Sequence, residues 1–416
     1  MKRFSGWSLF RQGLSGHKGW GPYWRSPEPK PTYDVVVVGG GGHGLATAYY
    51  LAKNHGITNV AVVEKGWLGG GNTGRNTTAV RSNYFYPESA ALYDFSLRLY
   101  EGLSRELNLN VMLSQRGMIV LAHSRHDMEF FHRWSNAMQL NGVDSEILNP
   151  DDVARLVPRL NMGPDARYPV YGAMTQKRGG VARHDAVAWG YARAADALGV
   201  DIIQQCAVEG LVTEGGRITG VDTSRGRISA GAVVVAVAGH SSGIAGLADF
   251  RLPIQSRALQ AFVSEPIKPV LDTVVLSPVV HCYVSQSAKG ELVVGGGADG
   301  YHSYAQRGSL PTIEDTAAAL VELFPSFGRL RLMRHWAGIV DISPDTSPIL
   351  DETPLNGMYI NCGWGTGGFK AIPVGGWTMA HHVATGAPHE LARPFSFDRF
   401  TTGALVDEGA AAGVAH

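Results

Sequence analysis

The chain has 416 residues, with 36 Lys and Arg against 36 Asp and Glu and hence no net formal charge. That balance, without a basic stripe or acidic tail, argues against nucleic acid as a partner, and no apolar run is long enough to span a membrane. Three scattered cysteines, Cys206, Cys282 and Cys362, form no CxxC pair, so neither a disulfide framework nor a metal site is indicated and a reducing, cytoplasmic setting is expected.

Residues 1–32 read as an N-terminal arm. Met1 to Trp20 is basic and rich in Gly and Ser, and lacks the continuous apolar core of a secretory signal. A loosely ordered segment lying on a partner is expected, because Trp7, Phe10, Trp20, Tyr23 and Trp24 are many aromatics for a free tail. Pro27 to Pro31 is a stiff link into the next stretch.

Tyr33 to Glu64 organises the rest. The β-branched run Val35 to Val38 predicts a strand buried on both faces. Gly39, Gly41 and Gly44 then give GxGxxG, with Gly42 and His43 inside it, and Leu45 to Asn54 predicts a helix. A second strand, Asn59 to Val63, delivers Glu64 about twenty residues past the last glycine. Gly39 permits the tight turn, Gly41 lets backbone approach a pyrophosphate, and Gly44 lets helix pack on strand. The helix dipole would face the phosphates, and Glu64 would accept from a ribose hydroxyl. The pattern indicates a dinucleotide without separating FAD from NAD.

Lys65 to Thr78 carries five glycines among polar residues. It reads either as a plain surface loop or as one wrapping a cofactor, with Arg75 and Asn76 donating to phosphate or ring atoms. Helices are expected over Glu88 to Leu107, Asp127 to Leu140, Asn149 to Pro158 and Asp185 to Leu198, and a strand over Gly117 to Ala122. Leu211 to Thr223 resembles a hairpin, and Ser229 to Ala238 a late strand of the nucleotide sheet. From Leu252 to Val294 the period drops to two, which predicts an antiparallel sheet in a second domain. Met358 to Cys362 reads as a strand returning to the first domain, and the turn Gly363 to Lys370 leads into a helix from Pro373.

These features together resemble the FAD-dependent amine oxidases of the D-amino-acid oxidase type. The stretches from Val37 to Thr78, Arg81 to Tyr84, Arg183 to Asp185, Leu252 to Ser256, Tyr283 to Gln286, and NCGWGTGGFK at 361–370 narrow the resemblance to the β subunits of heterotetrameric sarcosine oxidases. The implied fold is α/β: a discontinuous Rossmann-like FAD-binding domain with a mostly antiparallel β-sheet substrate domain. The boundaries expected are 33–110, 170–250 and 335–392 for the first, 111–169 and 251–334 for the second, and 393–416 for a C-terminal tail.

The resemblance implies non-covalent FAD held by Gly39, Gly41, Gly42, His43, Gly44, Glu64, Lys65, Asn72, Thr73, Arg75, Asn76, the Val208 backbone, Gly365, Thr366, Gly367 and Gly368. It implies a second flavin, FMN, bonded covalently to His184 with Arg183 nearby. Taken alone, a His before Asp at a helix start is more often a capped or solvent-facing residue. Lys177, Arg178 and Arg183 nevertheless gather charge suited to a phosphate, and Gly179 and Gly180 allow close backbone approach. Arg81 and Lys370 match the pair that grips the substrate carboxylate; their plain readings are a surface ion pair and a solvated helix start.

The implied reaction is oxidation of sarcosine at FAD, with electrons passing to FMN and then O2 to give H2O2. The one-carbon unit would go to tetrahydrofolate on an α subunit that also binds NAD, with γ and δ subunits completing the assembly. Two departures stand out. The lysine that related monomeric enzymes place over the flavin has no counterpart near Leu292 to Gly295, and their assisting tyrosine has none near Gly338 to Asp341, leaving His281 and Tyr283 as candidate substrate contacts. The alternatives are a dehydrogenase for dimethylglycine or another N-methyl amino acid, and a non-catalytic electron-transfer flavoprotein.

Overall fold

The computed structural model describes residues 5–406. One half is built on an eight-stranded sheet whose main path runs Ile349–Glu352, Met358–Cys362, Gly226–Val235, Thr32–Val38, Val60–Glu64, Asp201–Gln204. Every step along it is parallel except the first, and the hairpin Val208–Glu214 with Arg217–Thr223 adds antiparallel strands. Val36 lies opposite Ala61 on one side and Val233 on the other. Such β-branched strands need cover on both faces. Gly42–His55, His184–Ala197 and Ile372–Thr385 supply one cover, and Ile218, Val221, Ala245 and Leu252 belong to the other. Two helices of the first cover pack through glycine: a Cβ on Gly376 would stand 2.4 Å from that of Ala46.

The second sheet also has eight strands, in the order Leu332–Ile342, Gln255–Pro266, Glu291–Ala298, Cys282–Gln286, Val274–Ser277, Met118–Ala122, Gly172–Gln176, Glu146–Leu148. All its pairings are antiparallel except Val274–Ser277 with Met118–Ala122, and Ile119, Phe262, Leu292 and Phe324 lie in its core. Gly172–Gln176 and the start of the 335–392 segment therefore pair within this sheet, across the boundaries drawn at 170 and 335. Strand partnership sets membership, and it is invisible in local pattern. A short ladder of Ala79–Val80 with Gly180–Val181 stands apart from both sheets.

The arm differs from a loosely ordered tail. Gly6–Leu14 is a helix, capped where the Ser8 N–H donates to Ser5 Oγ at 3.1 Å. Its root is fixed: Trp24 packs against the core and Arg25 pairs with Asp196 at 2.8 Å. Of the tail, residues 393–406 fold back on the sheet and the remainder lies outside the described residues. Arg399, only 1% exposed, pairs at 2.7 Å with the fully buried Asp345. No helix among the described residues is long and apolar enough to cross a membrane.

Candidate functional site

A cleft of about 750 Å³ is lined from both sheets. At one end lies the first glycine turn. Gly39 sits at φ 111°, a conformation open to glycine, and a Cβ on Gly44 would fall 2.0 Å from the Gly39 carbonyl oxygen. Glu64 is locked by two backbone donors, Gly40 N–H at 2.9 Å and Gly66 N–H at 2.7 Å. Gly42 N–H, at the helix start, donates to Thr73 Oγ1 at 2.9 Å. Gly41, Lys65 and Val208 line the cleft beside them.

The loop after Glu64 is a folded wall. Asn72 donates through its amide to the Ile339 carbonyl and Asn76 to that of Thr73, while Arg75 Nη1 donates to Gly71 O at 3.1 Å. Trp336 Nε1 in turn donates to Arg75 O at 2.6 Å. Asn72, Arg75 and Asn76 border the cleft, but donors expected to point at a ligand are engaged in shaping the loop.

His43 joins the first glycine turn to the second. Its Nε2 is 2.8 Å from Gly368 O, and its ring stacks on Trp364 with centroids 4.6 Å apart. Burial pushes its pKa down to about 4, so the imidazole is neutral and Nε2–H donates. Trp364 Nε1 donates to Asn361 Oδ1 at 2.7 Å. Beneath the turn, Asp341 accepts from Gly363 N–H at 2.6 Å. Burial pushes this carboxyl up to about 7, against the opposing pull of backbone N–H groups that include those of Trp364 and Gly365. Gly365, Thr366 and Gly368 border the cleft, whereas Gly367 lies behind, where a Cβ would stand 2.1 Å from the Tyr93 hydroxyl.

Beside the second turn the structure brings Arg81 and Lys370 together. Both are buried, and the two cations lie 5.0 and 5.9 Å from the centroid of the same Tyr84 ring. Tyr84 stacks face to face on Tyr93 at 3.8 Å. Lys370 Nζ donates to Thr366 O at 3.0 Å, and Arg81 Nη1 to Asn83 Oδ1 at 2.6 Å. Burial first, and Arg81 second, hold the Lys370 pKa well below that of an ordinary lysine. A bound carboxylate would offset both effects by favouring the charged form. Neither the surface ion pair nor the solvated helix start describes these residues.

Of the two further candidates, Tyr283 borders the cleft and its hydroxyl accepts from Thr77 Oγ1 at 2.8 Å. His281 is exposed at a position with φ 47°, off the cleft. Tyr84, Tyr93, Trp364 and Asp341 are the residues sequence reasoning missed. Only Tyr84, three positions after Arg81, carried a local signal.

Arg183 and His184 lie at the start of the helix His184–Ala197, outside this cleft. His184 Nδ1 is buried without a hydrogen-bond partner, and burial lowers its pKa. Each of the cations expected to serve a phosphate is engaged with an acid. Lys177 pairs with Glu146 at 2.6 Å, Arg178 with Asp94 and Glu101 at 3.0 Å each, and Arg183 donates through Nε to Asp185 at 2.9 Å. Gly180 serves a close approach to the Ser114 backbone, 2.0 Å from where its Cβ would be.

Residues 34–382 match the family described as FAD dependent oxidoreductase. Over 417 residues the chain is 58% identical to a sarcosine oxidase subunit beta of Rhodobacter capsulatus, covering 100% of both. It is 53% identical over 406 residues to the same subunit of Rhizobium meliloti, covering 98% of this chain and 97% of that one. The solved L-proline dehydrogenase of P. horikoshii shares the fold at a TM-score of 0.83 and 26% identity, covering 91% of this chain and 100% of that chain. The chain belongs to the FAD-dependent oxidoreductases, in the branch of the sarcosine oxidase β subunits.

Proposed function

We propose that this chain binds sarcosine between Arg81 and Lys370 and oxidises it at a non-covalent FAD lying along the cleft. The observation that carries the reading is that Arg81 and Lys370, both on the cleft wall, are buried against one tyrosine ring. A guanidinium fork and an ammonium converging on one wall are the donor set that grips a carboxylate. The cleft fits the dinucleotide: the left-handed Gly39, the fixed Glu64, Lys65, the Asn72–Asn76 loop, Val208 and the Gly365–Gly368 turn would hold it. When bound, the flavin supplies the acceptor for hydride from the N-methyl carbon. Arg81 and Lys370 orient the substrate carboxylate, and the Tyr84–Tyr93 stack fixes both cations and keeps bulk water from them.

The finer reading adds FMN joined to His184, reduction of O2 to H2O2, and transfer of the one-carbon unit to tetrahydrofolate on an NAD-binding α subunit. Glycine leaves with methylene-tetrahydrofolate, or with formaldehyde when folate is absent. Subunits γ and δ complete this cytoplasmic assembly. Support comes from the subunit names of relatives matched over nearly their whole length and from the unpartnered Nδ1 of His184. The paired state of Lys177, Arg178 and Arg183 means that an FMN phosphate finds its counter-charge elsewhere or by exchanging those acids.

Lys370→Met removes one charge-assisted contact, so kcat/KM for sarcosine should fall about 10- to 150-fold. A loss under about threefold removes Lys370 from the site. His184→Ala should keep FAD and lose the flavin colour that stays with acid-precipitated protein; colour persisting in that pellet refutes the attachment.

A further inference from the structure

The Gly6–Leu14 helix buries none of its residues. Trp7, Phe10 and Leu14, at spacings of three and four, form one stripe and are 72%, 57% and 75% exposed. Trp7 and Phe10 already stack on each other, centroids 5.6 Å apart, so the stripe is presented as an ordered surface. Solvated Trp and Phe at this density are what a protein keeps for a contact.

Charge says what kind of contact. Residues 1–27 contain Lys2, Arg3, Arg11, Lys18 and Arg25 and no acidic residue, in a chain whose total charge is zero. Arg11 flanks the apolar stripe by helical spacing. The root of the arm is anchored by Arg25 on Asp196 and by Lys30 on Asp201 at 2.7 Å, so the helix is displayed from a fixed point on the nucleotide-binding half.

We propose that this helix is a docking arm: Trp7, Phe10 and Leu14 enter an apolar groove rimmed by carboxylates on a non-identical subunit, and Arg11 pairs with the rim. The inference rests on the reading of the chain as one subunit of an assembly. A helix laid in a groove through anchors at these spacings is a recurring mode of recognition, and an unbalanced basic arm gains both encounter rate and specificity from an acidic rim. A membrane surface is the less favoured occupant, because so short a helix offers three apolar anchors and a single cation on its flank.

The test uses the complex isolated with full-length chain. A photo-reactive phenylalanine analogue at position 10 should cross-link to a partner subunit, at a peptide containing Asp or Glu. Trp7→Ser with Phe10→Ser should weaken the complex at least 30-fold in dilution-dependent mass measurements, with flavin content and circular dichroism unchanged. Arg11→Glu should weaken it further at low salt than at high salt. Cross-links to a second copy of this chain or to its own core, unchanged dissociation, or wild-type binding to phosphatidylglycerol vesicles that the double variant loses would each overturn the proposal. A chain that enters no hetero-complex at all overturns the assembly reading itself, whereas a complex indifferent to the arm overturns this inference alone.

Discussion

Asp341 offers a prediction in which burial and hydrogen bonding pull in opposite directions. Its carboxyl is 1% exposed, and in the fold its pKa stands at about 7 against the ordinary 3.8, chiefly through burial. The folded chain therefore keeps this proton at pH values where the unfolded chain has lost it. The stability tied to the group is whole below about pH 4 and drains away as pH rises through 7. A gap of about three pH units corresponds to roughly 4 kcal/mol, of which about 2–3 kcal/mol falls between pH 5 and 8. Asp341→Asn removes the titration. The Asn oxygen can still accept from Gly363, but its NH2 would face the Trp364 or Gly365 N–H, so the variant should be modestly less stable at pH 5. By pH 8 it should gain about 2–3 kcal/mol relative to the natural chain. Urea unfolding of both proteins at the two pH values measures the difference. Parallel behaviour, within about 0.5 kcal/mol, would mean that the backbone donors outweigh burial and the carboxylate is ionised throughout.

Arg399→Met strands the fully buried Asp345, which also accepts from Ser343 Oγ and Val406 N–H, and should cost about 3–5 kcal/mol in urea unfolding. A loss below about 1 kcal/mol would show that residues 393–406 are not clamped by this pair. Gly376→Ala forces a methyl into the interface with Ala46 and should cost about 1–3 kcal/mol, whereas alanine at exposed Gly13 should be near neutral by the same measurement. Equal stabilities for these two alanine variants would contradict the close approach of Ile372–Thr385 to Gly42–His55.

The nucleotide-binding unit was legible because its information is local. Val35 to Val38, the glycines and Glu64 lie within one strand–helix–strand, and each residue type answers a demand made by its neighbours. The alternation after Leu252 likewise announced the second sheet, since a strand with two unlike faces writes its own period. Partnership across the chain was not legible. Nothing near Tyr84 announces that it stacks on Tyr93, nor does any feature of Lys370 show that Arg81 stands by the same ring. Lys177, Arg178 and Arg183 looked like one cluster because they are close in sequence. Their acids, Glu146, Asp94, Glu101 and Asp185, sit on several elements, and folding gave each cation a counter-charge of its own. Asp341 escaped notice because an acid among apolar residues gives no hint of the backbone N–H groups gathered around it.

The order of the strands also dictates when the cleft can exist. Met358–Cys362 pairs with Gly226–Val235, and the turn that follows it carries the wall opposite the first glycine loop. During synthesis the N-terminal turn emerges long before that wall does, and a nascent chain stopped short of residue 358 holds half a cradle with an open parallel edge at Val233 to Val235. The complete cradle therefore forms only once the chain past residue 358 is available, and until then that bare edge lacks its partner strand.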